Sequence, residues 1–181
     1  MRHKGPGSCQ GLFYIEQETG GYMTAEQIRA LAASWKEYNE ATIKIKRLMN
    51  GTANIMGDYS EILVGELYHA EKLTASTVCA DLKCADGTLI QVKSRQVKRT
   101  NTTTQLGIIR HWDFQLLVVV LFYEDGSLFK VLEMKSEDAR RYAKANSYQR
   151  GDVITTTKDF LESRLAKDKT ADMRRILNGQ V

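Results

Sequence analysis

The segment Gln115–Tyr123 constrains the fold more than any other, because Leu116-Leu-Val-Val-Val-Leu-Phe122 runs without a polar residue. Successive strand side chains point to opposite faces, so an unbroken apolar run rich in β-branched residues predicts a central strand buried on both faces. Glu124-Asp-Gly126 then turns the chain into Ser127–Met134, which reads as an antiparallel partner.

Helical signals dominate the part before this strand. Thr24-Ala-Glu-Gln27 has the form of a capping box opening a long helix that Asn50-Gly51 ends. Ile28, Leu31, Trp35, Tyr38, Ile45, Leu48 and Met49, with Thr42 filling one gap, recur mainly in steps of three and four. That spacing fits an amphipathic helix lying on the core or a seam that pairs with a second copy. A second helix is expected from Asp58, as N-cap, to Leu73, with Tyr59, Ile62, Leu63, Leu67 and Ala70 on its apolar face. Strands are expected at Thr77–Lys83 and Leu89–Val97, joined by the hairpin signal Asp86-Gly87. Thr100–Thr104 reads as a polar loop. Beyond the central strands, Ser136-Glu-Asp138 caps a short helix through Ala145, Asp152–Thr156 reads as a last short strand, and the charged end from Thr157 as one or two helices.

A chain of 181 residues, 43% hydrophobic and 27% charged, has the length and composition of a globular domain with a real core. No apolar run approaches the roughly 20 residues of a membrane helix. Met1-Arg-His-Lys-Gly-Pro-Gly-Ser8 has positive charge without the apolar stretch of a signal peptide. Residues 1–23 are therefore read as an arm, disordered or in part added sequence, residues 24–53 as an N-terminal helix and possible dimer interface, and residues 54–181 as the main domain. The three cysteines, Cys9, Cys79 and Cys84, are odd in number and sparse, which fits a reducing cytoplasm. Cys79 and Cys84 have no nearby partner ligands, so a zinc site is not expected. The formal net charge is +4. Its distribution matters more than its size: from Lys93 to Trp112 there is no acid, while Lys93, Arg95, Lys98, Arg99 and Arg110 all fall there. A basic segment of this kind can contact phosphates.

The chemistry concentrates between Asp81 and Lys93. Gln91 and Lys93 are two residues apart on a strand and share a face, opposite apolar Ile90 and Val92. If this strand pairs with the preceding one, Asp81 can approach both. A carboxylate, an oxygen ligand and a lysine on one edge could hold a divalent cation and activate water against a phosphodiester. Asp86, in contrast, is explained by the turn alone. Two helix acids lie upstream, Glu61 and Glu66. Helical angles place Glu66 nearer the apolar face.

Asp81, followed ten positions later by Gln91-Val92-Lys93, resembles the signature of the PD-(D/E)XK nuclease superfamily, the restriction-endonuclease-like fold. Gly57-Asp58-Tyr59-Ser60-Glu61 looks like that superfamily's first core helix, and Gln91-Val92-Lys93-Ser94-Arg95 is similar to small prokaryotic members with glutamine at the triplet's first place. The likeness covers roughly residues 54–134. It implies an α/β fold with a mixed central sheet flanked by helices, here with an N-terminal helical appendage. It also implies a magnesium site, with manganese able to substitute. By resemblance Asp81 binds the metal, Gln91 offers its side-chain oxygen, Glu61 completes the site with Glu66 in reserve, and Lys93 positions or polarises the attacking water. The expected protein is a restriction-like, cytoplasmic DNA endonuclease acting as a homodimer. A structure-selective or RNA-acting nuclease of the same fold, or a binding protein without catalysis, are the alternatives. Two places differ from the usual pattern: glutamine stands where an acid is common, and a direct hairpin follows the central strand where a helix is usual.

Overall fold

A computed structural model describes residues 23–49, 54–74 and 79–179. The apolar run forms β4 (Leu116–Tyr123), and its side chains divide between two faces as the composition demands. Leu117, Val119 and Leu121 are buried with Leu106, Phe114, Met134 and Phe160. Val118, Val120 and Phe122 are buried on the other face with Leu63, Val64 and Met173. Complete burial of such a side chain contributes roughly 1.5–3 kcal/mol, so β4 anchors both halves of the core.

Around β4 the chain builds a six-stranded sheet of order β1-β2-β3-β4-β5-β8. Its strands are β1 (Glu71–Lys72), β2 (Leu82–Lys83), β3 (Leu89–Val97), β4, β5 (Leu128–Lys135) and β8 (Ala166–Asp168). Only β3 and β4 run parallel; every other pair is antiparallel. The fold is mixed α/β with a mostly antiparallel central sheet. Helix α2 (Ile55–Tyr68) and helix α5 (Thr170–Leu177) supply Leu63, Val64 and Met173 to one core. Helices α3 (Ser136–Ala139) and α4 (Lys158–Leu161) supply Ala139, Phe160 and Leu161 to the other. Among the described residues no helix is long and apolar enough to cross a membrane.

Two turns form as their residues require. Gly87 takes φ +89°, its N–H donates to the Cys84 carbonyl at 2.9 Å, and Asp86 Oδ1 accepts from Thr88 N at 2.9 Å. Only a residue without Cβ occupies that backbone region at little cost. Asp86 is thus a turn residue. The β4–β5 hairpin, with Gly126 at φ +82°, likewise follows the sequence expectation.

Elsewhere the structure corrects the boundaries. Helix α2 begins at Ile55, where Asn54 Oδ1 accepts from Gly57 N at 3.2 Å, and not at Asp58. It stops at Tyr68 with His69 left-handed (φ 48°), so the expected last turn toward Leu73 becomes edge strand β1. Leu63 of the expected apolar face is buried and Leu67 and Ala70 pack beside it, but Val64, outside that face, is buried too, while Ile62 is exposed and Tyr59, also exposed, stacks on Phe122. The strand expected at Thr77–Lys83 is paired as β2 only at Leu82–Lys83; residues 75–78 lie outside the described residues. The helix expected through Ala145 ends in a 3-10 turn at Tyr142 and gives way to β6 (Ala143–Asn146). That strand pairs with β7 (Gly151–Ile154) in a separate two-stranded ribbon, so Asp152–Thr156 does not supply the main sheet's last strand. β8 does, from a segment expected to be helical; it is three residues long, and Asp168 and Lys167 face solvent there.

The described residues divide into two units within helix α1 (Ala25–Met49), between Thr42 and Ile43. The capping box is formed: Thr24 N donates to Gln27 Oε1 at 2.8 Å, and Gln27 N to Thr24 Oγ1 at 3.2 Å. No residue of α1 is buried, and Trp35 stacks on Tyr38 with centroids 5.6 Å apart. The expected helix stop at Asn50-Gly51, most of the arm at residues 1–23, and Cys9 lie outside the described residues.

Candidate functional site

β3 positions the centre of the site. Ile90 and Val92 point into the core beneath α2, which turns Gln91, Lys93 and Arg95 to the opposite face. Asp81 stands just before β2, its N–H donating to the Ile90 carbonyl at 3.0 Å while its carbonyl accepts from Leu73 N at 2.8 Å. Backbone on both sides thus fixes Asp81 against β3. Its Oδ2 accepts from Val92 N at 2.7 Å and from Gln91 Nε2. Both bonds fall on Oδ2, so Oδ1 is the oxygen not committed to β3.

Gln91 therefore meets Asp81 through its amide nitrogen, which leaves its side-chain oxygen outside that bond. A glutamate there would set two carboxylates against each other; the amide donates a hydrogen bond and keeps Oε1 as its acceptor end.

Glu61 joins this group from α2. Burial raises its pKa and outweighs the ion pair that its Oε2 makes with Lys72 Nζ at 2.7 Å; the nearby charge of Asp81 raises it further. Burial likewise raises Asp81, more than the bonds from Val92 and Gln91 and the charge of Lys93 lower it. Lys93 shows the converse: burial lowers its pKa, and Asp81 and Glu61 partly restore it while Arg95 and Arg110 depress it. The structure thus brings Glu61, Asp81, Gln91 and Lys93 together. Two carboxylates that burial keeps from ionising, one of them further raised by the other's charge, form an electrostatic setting that a bound cation relieves.

Glu66 is exposed instead. It lines a cleft of about 390 Å³ with Glu61, His69, Glu71 and Lys72. Angular reasoning misplaced these acids because Glu61 is covered by the edge strand and Lys72, not by the helix's apolar stripe. Lys72 was missed altogether. From β1 it also pairs with the buried Asp58 at 2.8 Å, and the paired acids raise its pKa against the effect of burial. Asp58, one helical turn before Glu61, is buried, and a buried acid requires a cation close by, though the sequence alone does not show that burial.

The basic residues separate into two sets. The segment joining parallel strands β3 and β4 is an irregular crossover over the Lys93 face. A methyl placed on its Gly107 would lie 3.6 Å from Arg95 Nη2 and 3.8 Å from Lys93 Cδ. Arg95 Nε donates to the Gln105 carbonyl at 2.9 Å, and both Arg95 and Arg110 act electrostatically on Lys93. Arg99 is engaged elsewhere: it lies over the Tyr123 ring at 4.1 Å and pairs with Asp125 at 2.8 Å. Lys98 is exposed at the tight turn it shares with Asn101.

Among the described residues no group of three His, Cys, Asp or Glu side chains forms a ready metal cage. Magnesium does not need one. It is commonly held by one or two carboxylates, retained waters and substrate phosphate oxygens, and Asp81 with Glu61 and the Gln91 amide are donors of that kind. The chain matches no family model and no curated protein.

Proposed function

We propose that this chain is a magnesium-dependent, cytoplasmic DNA endonuclease of the restriction-endonuclease-like class, with manganese able to replace magnesium. The observation that carries the reading is Asp81, tied to β3 through Val92 N and Gln91, beside Lys93 and within electrostatic reach of Glu61. The mixed sheet and the Asp81…Gln91-Val-Lys93 spacing support it.

In this reading Asp81 and Glu61 hold the cation, with Gln91 Oε1 as a further oxygen. A bound magnesium would supply Lewis-acid polarisation of the phosphate and a more acidic water. Lys93 Nζ orients the water and offsets the negative charge that builds on the phosphoryl oxygens. Water adds to phosphorus, the ester bond breaks, and the leaving oxygen takes up a proton. Arg95 and Arg110 contact flanking phosphates. Arg99, spent on Tyr123 and Asp125, contributes less.

The test is incubation of the purified chain with varied DNA substrates, with and without Mg²⁺, across a pH series. Metal-stimulated cleavage is expected, and its complete absence on every nucleic acid tested removes the enzyme reading. Because Asp81 and Glu61 are both raised, the rate should fall on acidification above the ordinary carboxylate range. More Mg²⁺ should move that fall to lower pH, since cation and proton compete for the same oxygens. An acid limb unmoved by metal concentration would argue against these two carboxylates as ligands.

Cutting both strands of a duplex is simplest for a symmetric dimer. The exposed seam of α1, including Ile28, Leu31, Trp35 and Tyr38, is the surface we assign to the second copy. Sedimentation at micromolar concentration should give a dimer; a monomer there withdraws that assignment.

A further inference from the structure

The β6–β7 ribbon has no role in the site described above, yet its surface is specialised. Lys144 and Arg150 lie beside its tip, Asp152 at its base accepts from Trp112 Nε1 at 2.7 Å, and Arg140 and Arg141 precede it in the 3-10 turn, where Arg141 pairs with Asp138. At its tip Tyr148 is 94% exposed, far beyond what burial of a tyrosine ring would favour. The tip is built rather than loose. Asn146 and Gly151 are the last paired residues, Asn146 Oδ1 accepts from Gln149 N at 3.0 Å, and Arg150 closes the turn at φ 51°.

The ribbon is also tied to the crossover that covers Lys93. Ile109 N donates to the Asp152 carbonyl and Asp152 N to the Ile109 carbonyl, both at 2.8 Å, and Leu106 N to the Ile154 carbonyl at 2.9 Å. A Cβ on Gly151 would meet the Ile109 carbonyl oxygen at 2.7 Å and Arg110 Cγ at 3.3 Å, so the base of the tip lies directly against Arg110. Gly151 lies three positions after Tyr148, which limits that path to about 10 Å at strand rise. One backbone framework therefore carries Lys93's cover, Arg110 and the exposed ring.

We infer that the β6–β7 ribbon is a nucleic-acid-binding arm whose Tyr148 stacks on an unpaired base next to the bond to be cut. Lys144 and Arg150 beside the tip can contact a phosphate backbone, but phosphate contact gives no use for an exposed ring. A ring needs the face of a base, and an intact duplex keeps those faces stacked. The preferred substrate is thus DNA with a flap, gap or branch. This rests on the nuclease reading for the position of the cut, but not for the binding itself.

The experiment measures binding of the full chain to labelled DNA in EDTA, where no cutting occurs, using a paired duplex and the same duplex with a short single-stranded flap. Wild type should prefer the flap. Tyr148→Ala should lower the flap-to-duplex affinity ratio about tenfold, within the range of stacking on one base, and Tyr148→Trp should retain it. An unchanged ratio in the alanine variant, or no flap preference in wild type, overturns the arm. A Tyr148-dependent preference in a protein that never cleaves with Mg²⁺ upholds the arm and removes the nuclease. Duplex cleavage without that preference does the reverse.

Discussion

Lys93→Ala is expected to lower magnesium-stimulated DNA cleavage by about 10²–10³-fold, the usual consequence of removing one positioned charge-stabilising donor. The protein should still bind DNA in Ca²⁺. β3 is held by Ile90 and Val92 on the opposite face, and alanine is compatible with its backbone, so the strand should persist. What disappears is the ammonium that burial and its neighbours have tuned. Burial disfavours the lysine's charge here, and the charges of Asp81 and Glu61 favour it. Its loss removes one of the influences lowering Asp81, so the remaining activity should fail at higher pH than in wild type. Lys93→Arg is not expected to rescue. A planar guanidinium with its charge spread over three nitrogens cannot replace a compact ammonium at one point. Steady-state cleavage of a labelled duplex measures each effect; a threefold or smaller loss in the alanine variant removes Lys93 from the chemistry.

Sequence legibility followed the origin of each constraint. β4, β3 and the Asp86-Gly87 turn were readable because alternation, an apolar run and turn chemistry are local signals. The role of Asp86 as a turn residue could be settled the same way. Glu61 against Glu66 could not, since the deciding cover comes from β1 and Lys72, not from helical periodicity. The bond from Gln91 Nε2 to Asp81 is likewise invisible in the spacing, because it depends on how β3 and the residue before β2 meet in space. Arg99 looked like its neighbours until Tyr123 and Asp125, more than twenty positions away, were found against it. β8 and β6 are short strands with charged, exposed residues, so they carry no alternation strong enough to outweigh helical patterning, whereas β7, with Val153 and Ile154 buried, falls where a short strand is expected. The fold's interior was written locally; its edges and ion pairs were set by tertiary contact.

Asp81→Asn is expected to reduce cleavage by at least about 10²-fold while preserving the fold, since metal sites lose this much even when ligand support alone is removed. Asparagine is the informative change because Asp81 also serves the backbone. Its Oδ2 accepts from Val92 N, and an asparagine oxygen can keep that bond. Asp81→Ala instead leaves the Val92 N–H without this acceptor, at about 1–3 kcal/mol, and mixes instability with lost chemistry. The raised pKa gives a second readout with a defined sign. A carboxyl whose folded pKa exceeds its unfolded one stabilises the fold below the unfolded value, and that contribution is lost as pH rises through the folded value. Wild type therefore carries a cost at neutral pH that asparagine does not, the attraction of Lys93 being already counted in that raised pKa. The melting temperature of the variant relative to wild type should rise between about pH 4, near the carboxylate range, and neutrality. Added Mg²⁺ should then raise wild type more than the variant, because the cation stabilises only the state that binds it. Equal magnesium stabilisation of both proteins would place the metal away from Asp81.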